Sequence, residues 1–184
     1  MPTQLEGQGA LVDIRYDASD FWRLSRAFER LPDDIKHKVA TRAMGRVGDM
    51  GRTRVVRRIA ERIKIAQAFV RGATSAWTGA DGATIRVSSK WISLYRLGAR
   101  QTRSGVTVRG RGSYRSAFIA TMNGGTAVFK REGASRFPVK ALYGPNPAND
   151  VRSSPDEYQK LVEDIARQYV LPRMLHELGR ILPK

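Results

Sequence analysis

Residues 114–145, YRSAFIATMNGGTAVFKREGASRFPVKALYGP, constrain the fold more than any other stretch of the chain. Two apolar runs, 117–122 and 126–129, flank Asn123-Gly124-Gly125. A tight hairpin needs positive φ at its turn, which Asn and Gly adopt at little cost, and the flanks are rich in β-branched and aromatic residues. A β-hairpin is predicted here, followed by a third extended segment at Phe137-Pro138-Val139 and a stop at Gly144-Pro145. Alternation lets one member of each adjacent apolar pair point inward, and Phe118 and Val128 are the expected core residues of the hairpin. The stretch has no His, no Cys and a single carboxylate, Glu132. It therefore lacks the groups that acid–base or metal chemistry would use.

Helical signals lie on either side. Pro32, Asp33 and Asp34 suit a first turn, because proline has no amide to leave unpaired and carboxylates complement the positive end of the dipole. A helix is predicted from there to about Ile63, roughly 45 Å long, with Ile35, Val39, Ala43, Val47, Met50, Val55 and Ile59 on its apolar face. Residues 64–71 extend the helical segment by a turn or two, so that 32–71 reads as one long basic stretch. Gly45, Gly48 and Gly51 recur every three residues inside it, each about 1 kcal/mol less favourable than Ala. Close packing against another element or a mid-helix bend would account for them. At the other end, Ser154 followed by Pro155, Asp156 and Glu157 predicts a second helix over 155–182, kinked at Pro172.

Before the long helix, residues 1–31 read as an arm with loose alternation at Leu11, Val12, Ile14 and Tyr16, then a short helix over 21–30. Small polar residues over 72–82 read as a turn region, and 144–154 as a proline-bearing loop. Between them lies a β-region, 83–143, beginning with a strand at 83–88 whose Ile85 and Val87 share a face. Residues 101–115, glycine-interrupted and basic, are expected to form a loop or hairpin that packs poorly in the isolated subunit. Helical and strand periodicities fall in separate blocks. The expected fold is α+β, a single domain of 1–184 with the two helices on a small, mainly antiparallel sheet and a basic hairpin.

Charge dominates the functional reading. The 184 residues carry a formal net charge of +16, which favours anionic partners and opposes self-association. The long helix holds seven arginines between 42 and 62 against Asp49 and Glu61, and 86–140 holds twelve basic residues against Glu132 alone. Arg54, Arg58 and Arg62 form an i+4 stripe. The candidate contacts to partner carboxylates or phosphate are Arg46, Arg54, Arg58, Arg62, Arg103, Arg109 and Arg111. The residues alone leave two readings open: phosphate neutralisation on nucleic acid, or bidentate pairing with partner subunits. No RNA-binding sheet signature or helix-turn-helix pattern stands out.

Chemistry is not evident. His37 and His176 are the two histidines, neither with a second ligand at metal spacing, and there is no Cys. Gly105, Gly110 and Gly112 miss phosphate-loop spacing. The chain is read as a non-enzyme without cofactor, made as a soluble chain with no signal peptide and no span of the ~18 apolar residues a bilayer requires.

The helix sequence ATRAMGRVGDMGRTRVVRRIAERIKI and the later LYRLGARQTRSGVTVRGRGSYRSAFIATMNGGTAVFKREGASRFPVKALYGPNPAND resemble the minor tail protein Z family of tailed phages and prophages. The resemblance covers roughly 35–182. Its most specific parts are Ala117–Ala120, Val128–Arg131 and the run from Pro138 to Pro145. It implies a virion structural protein, made in the host cytoplasm and acting in tail completion at the head-proximal end of the tail or head–tail junction. Implied partners are other tail and neck proteins (terminator, tube, connector), copies of itself in a ring, expected to be a hexamer, and the phage DNA end, with no membrane. The family transfers no catalytic residues. The competing function is a sequence-nonspecific DNA-binding protein.

Overall fold

Asp33 to Arg62 forms helix α1 in the computed structural model, 30 residues with Asp33 and Asp34 in the first turn and Arg62 in the last. Residues 11–17, 31–79, 82–122 and 124–181 are described, and within 11–17 only the Ile14 side chain. The arm before residue 11, the short helix expected over 21–30 and Leu182 lie outside them. The α1 helix ends at Ile63, Lys64 takes φ +51, and a separate short helix α2, Gln67–Arg71, follows. The expected helical stretch is thus two elements.

A first antiparallel sheet lies against α1, with strand order β1 (Leu11–Asp17), β3 (Gly82–Ser88), β2 (Thr74–Thr78). Alternate residues Ala83, Ile85 and Val87 of the central strand are buried. The turn expected over 72–82 instead contains β2, because Thr74, Trp77 and Thr78 are good strand formers whose small neighbours conceal the signal. The spaced glycines of α1 face this sheet. A Cβ on Gly48 would lie 2.5 Å from Thr78 Cγ2, and one on Gly51 2.9 Å from Ile85 Cδ1. Close packing, not a bend, accounts for them, since α1 is continuous.

The loop expected over 144–154 holds helix α3, Pro147–Ser153, with Asn146 as N-cap accepting from the Ala148 amide and proline in the first turn. Asn-Pro is a start signal that the prolines nearby masked. Helix α4 runs from Pro155 to Ile181, continuous through Pro172. It packs antiparallel to α1. Val55, Val56 and Ile59 meet Tyr158 and Val162 in one cluster, while Val39, Ala43 and Met44 meet Ile165, Val170 and Met174 in the next.

Two further three-stranded antiparallel sheets complete the described chain. The second is β4 (Ala99–Thr102), β5 (Gly105–Val108), β6 (Gly112–Arg115); the third is β7 (Ala117–Met122), β8 (Gly125–Arg131), β9 (Val139–Leu142). Met122 faces Gly125 across β7 and β8, leaving a two-residue connection in which Gly124 has φ +77. The hairpin is therefore where the sequence places it. The inner faces of the two sheets enclose a third cluster, with Leu94, Val106, Val108, Ala117 and Val128 buried. The architecture is mixed α+β, with three small sheets where one was expected.

Two expectations are corrected. Residues 101–115 do not pack poorly: Val106 and Val108 are buried, and β5 is bonded on both sides. Alternation along β5 turns just these two valines inward, so a segment poor in large apolar residues still contributes to a core. Phe118 does not share a face with Val128. Cross-strand partners point the same way, and the register pairs Ile119 with Val128 and Phe118 with Phe129. Ile119 packs on the third cluster; Phe118 lies on the opposite face, half-buried.

Candidate functional site

The arginines singled out by sequence separate into those bonded within the molecule and those left free. Near the end of α1, Arg62 donates to Asp150 Oδ1 at 3.0 Å and Ser154 Oγ at 2.8 Å, and pairs with Glu157; Arg58 Nε donates to Glu157 Oε1 at 2.6 Å. The half-buried Asp150 also accepts from the Tyr158 hydroxyl. Hydrogen bonding to Asp150, followed by its negative charge, raises the Arg62 pKa above its ordinary value. Burial first, then the bond to Asp150, raises that of Tyr158. This network fastens α1 to α3 and α4. Arg58 and Arg62, read as outward contacts from their i+4 spacing, stay at the surface but are engaged within the molecule, because the facing surface of α3 and α4 supplies carboxylates at matching height. Arg111 is likewise engaged, donating to the Ile63 carbonyl at the end of α1.

The other four remain exposed, and none forms an ion pair among the described residues. Arg54 borders a shallow groove between α1 and α4 with Arg58, Lys160 and Asp164. Arg46 lies half-way along α1. Arg103 and Arg109 occupy the turns at opposite ends of β5. The seven candidates therefore do not converge on one site.

Two cations missed by the sequence reading join Arg103 and Arg109. On the second sheet, Arg100, Thr107 and Ser113 form one cross-strand row, and Thr102, Gly105 and Arg115 the next. Both rows point away from the buried valines. The outer face is thus polar and cationic, with Thr107 Oγ1 3.1 Å from Ser113 Oγ. The signal was available: Arg100 and Arg115 sit at the outward positions once Val106 and Val108 are taken as inward. Gln101 faces inward, where its Oε1 accepts from the Ile119 amide at 2.8 Å and its Nε2 donates to Gly105 O at 2.9 Å. One amide side chain thus joins the second sheet to β7 of the third.

From residue 89 to 146 there are eleven basic residues against Glu132, and none of the eleven pairs with a described carboxylate. Exposed Trp91 and Tyr143 lie in the same region. Among the described residues no group of three or more His, Cys, Asp or Glu could hold a metal ion, and no helix is long and apolar enough to cross a membrane. A cleft of about 140 Å³ lined by Phe69, Lys90, Trp91 and Arg96 is smaller than the ~300 Å³ at which small-molecule sites begin. What the geometry offers is surface: cations on strands and in the turns between them, without carboxylate partners among the described residues.

No curated protein and no solved structure matches the chain. The profile of prophage minor tail protein Z matches residues 25–183. With that match over nearly its whole length, the chain belongs to the prophage minor tail protein Z family and is a structural protein of a phage tail.

Proposed function

We propose that the chain is a tail-completion subunit at the head-proximal end of the tail, or at the head–tail junction, that docks on carboxylates of neighbouring tail and neck proteins. The observation that carries this reading is the concentration of unpaired cations on the two β-sheets, above all Arg100, Arg103, Arg109 and Arg115 around the outer face of the second sheet. Arg100 and Arg115, mounted on strands, lose less freedom on pairing than flexible surface lysines, and the arginine fork, there and in the turns, matches carboxylates in a bidentate way. Copies assemble into a ring, a hexamer matching tail symmetry. Juxtaposed like charges cost several kcal/mol at an interface, so the ring keeps these cations off its own subunit contacts and turns them toward neighbours and the lumen. There the same field would hold a DNA end without sequence preference.

Charge reversal tests the reading. Arg103→Glu with Arg109→Glu touches no bond of the fold and is expected to leave the melting temperature within a few degrees of wild type. Tails and infectious particles should nevertheless lack the subunit. Normal incorporation of the double variant would remove the case for this surface. Electron microscopy of tagged particles tests position, and label anywhere but the head-proximal end rejects that placement. An independent DNA-binding protein, the competing function, would bind duplex DNA with no tail present and would not sediment with tails.

A further inference from the structure

The β-sandwich has two outer faces of opposite character. That of the second sheet is cationic. That of the third is apolar: in β7, β8 and β9 the residues turned away from Ile119, Val128 and Leu142 include Phe118, Met122, Phe129 and Val139, with alanines between them. The Phe118 and Phe129 rings are 6.1 Å apart. These residues are half-buried, none belongs to, or packs on, any of the three core clusters, and no described α-helix makes more than a marginal contact with the sheet. An outer sheet face that meets only water is ordinarily polar, and a contiguous apolar patch marks an interaction surface.

The border of the patch indicates what covers it. Arg131 lies on the same face, its guanidinium 5.3 Å from the Phe118 ring centre. Ring stacking holds the cation flat while leaving N–H donors at its edge free. Arg136, stacked on the exposed Phe137, lies in the adjoining turn. Neither arginine pairs with a described carboxylate. A second copy of this chain would bring these arginines toward the same cation-rich region, which disfavours it.

We infer that the outer face of the third sheet is a protein-docking surface for a different tail protein, one presenting an apolar patch edged by carboxylates that meet Arg131 and Arg136. This deepens the docking role proposed above by assigning a second surface, on the opposite side of the sandwich from the cationic one. Aromatic rings would supply the affinity and the arginines the orientation.

The probe is a preparation of tails assembled without this chain, mixed with purified wild-type chain or variants and sedimented. Wild type is expected to bind. Phe118→Ser with Phe129→Ser, and separately Arg131→Glu, should each weaken binding at least tenfold with the melting temperature nearly unchanged, while Val128→Ala lowers the melting temperature. If wild type binds and both face variants bind equally well, the docking surface is refuted and the tail-docking role stands. If wild type does not bind, the tail-docking role itself fails. Collapse of the fold in the serine variant, with wild-type binding by Arg131→Glu, would show the face to be covered by the chain itself. A dimer of the isolated chain that the serine variant dissociates would make a second copy the occupant and overturn the inference.

Discussion

Tyr158 shows how a single side chain is made responsible for alignment. Its ring fills the junction of α1, α3 and α4, where it is fully buried, and its hydroxyl reaches Asp150, which Arg62 holds from the other side. Burial and the nearby carboxylate both disfavour the phenolate, so the folded pKa is raised above the ordinary 10.0. A raised pKa means that the folded state holds the proton more tightly than the unfolded chain. The associated stability is complete below about pH 10 and is lost as pH rises from there toward the folded value. Tyr158→Phe should lower stability by about 1–2 kcal/mol at neutral pH through the lost hydrogen bond. It should also flatten the decline above pH 10. Denaturant titrations of both proteins at pH 7 and 11 measure this; parallel declines would show that Tyr158 does not couple folding to pH.

At the scale of elements, what was legible followed from periodicity. The hairpin, the start of α1, the α4 helix and the strand at 82–88 each carry an uninterrupted pattern and end in turn or cap residues. What escaped notice was short or depended on distant partners. β2 is five residues whose identity depends on pairing with β3. α3 is seven residues behind an Asn-Pro signal. The inward side of β7 is fixed by register with β8 and by Gln101 reaching the Ile119 amide, neither of which alternation alone reveals. The arginine stripe on α1 was visible, but its direction was not, because Asp150 and Glu157 are 88 and 95 residues from Arg62. The glycines of α1 mark the closest helix–sheet contact. Gly48→Ala would improve local helix propensity by about 1 kcal/mol, yet its Cβ would press into Thr78. Overpacking of this kind typically costs about 1–3 kcal/mol, so the net change should be a lower melting temperature, relieved by Thr78→Ser, which deletes the methyl that is struck. A Gly48→Ala variant as stable as wild type would mean that α1 can move off the sheet without loss.

Across the whole molecule, charge is distributed unevenly. The helical part pairs much of its charge: Lys36 with Asp33, Arg57 with Glu61, Arg58 and Arg62 with Glu157, and Arg42 and Arg180 flanking the buried Glu177. The sandwich has one acid, Glu132, and none of its cations pairs with a described carboxylate. The isolated chain should therefore be destabilised by repulsion between its own cations, an effect that salt screens over a Debye length of about 10 Å at 0.1 M. Salt also weakens the exposed ion pairs, but such pairs are each worth only about 0–1 kcal/mol. With a net charge of +16, relief of repulsion outweighs that loss. The melting temperature should rise between about 0.05 and 0.3 M sodium chloride, where screening changes most. It should rise less for Arg103→Glu with Arg109→Glu, which removes part of the repulsion beforehand. Thermal melts at matched pH across that series measure both. A melting temperature that falls with salt would show that the ion pairs dominate the repulsion, and that the sandwich keeps its cations unpaired at no cost to its own stability.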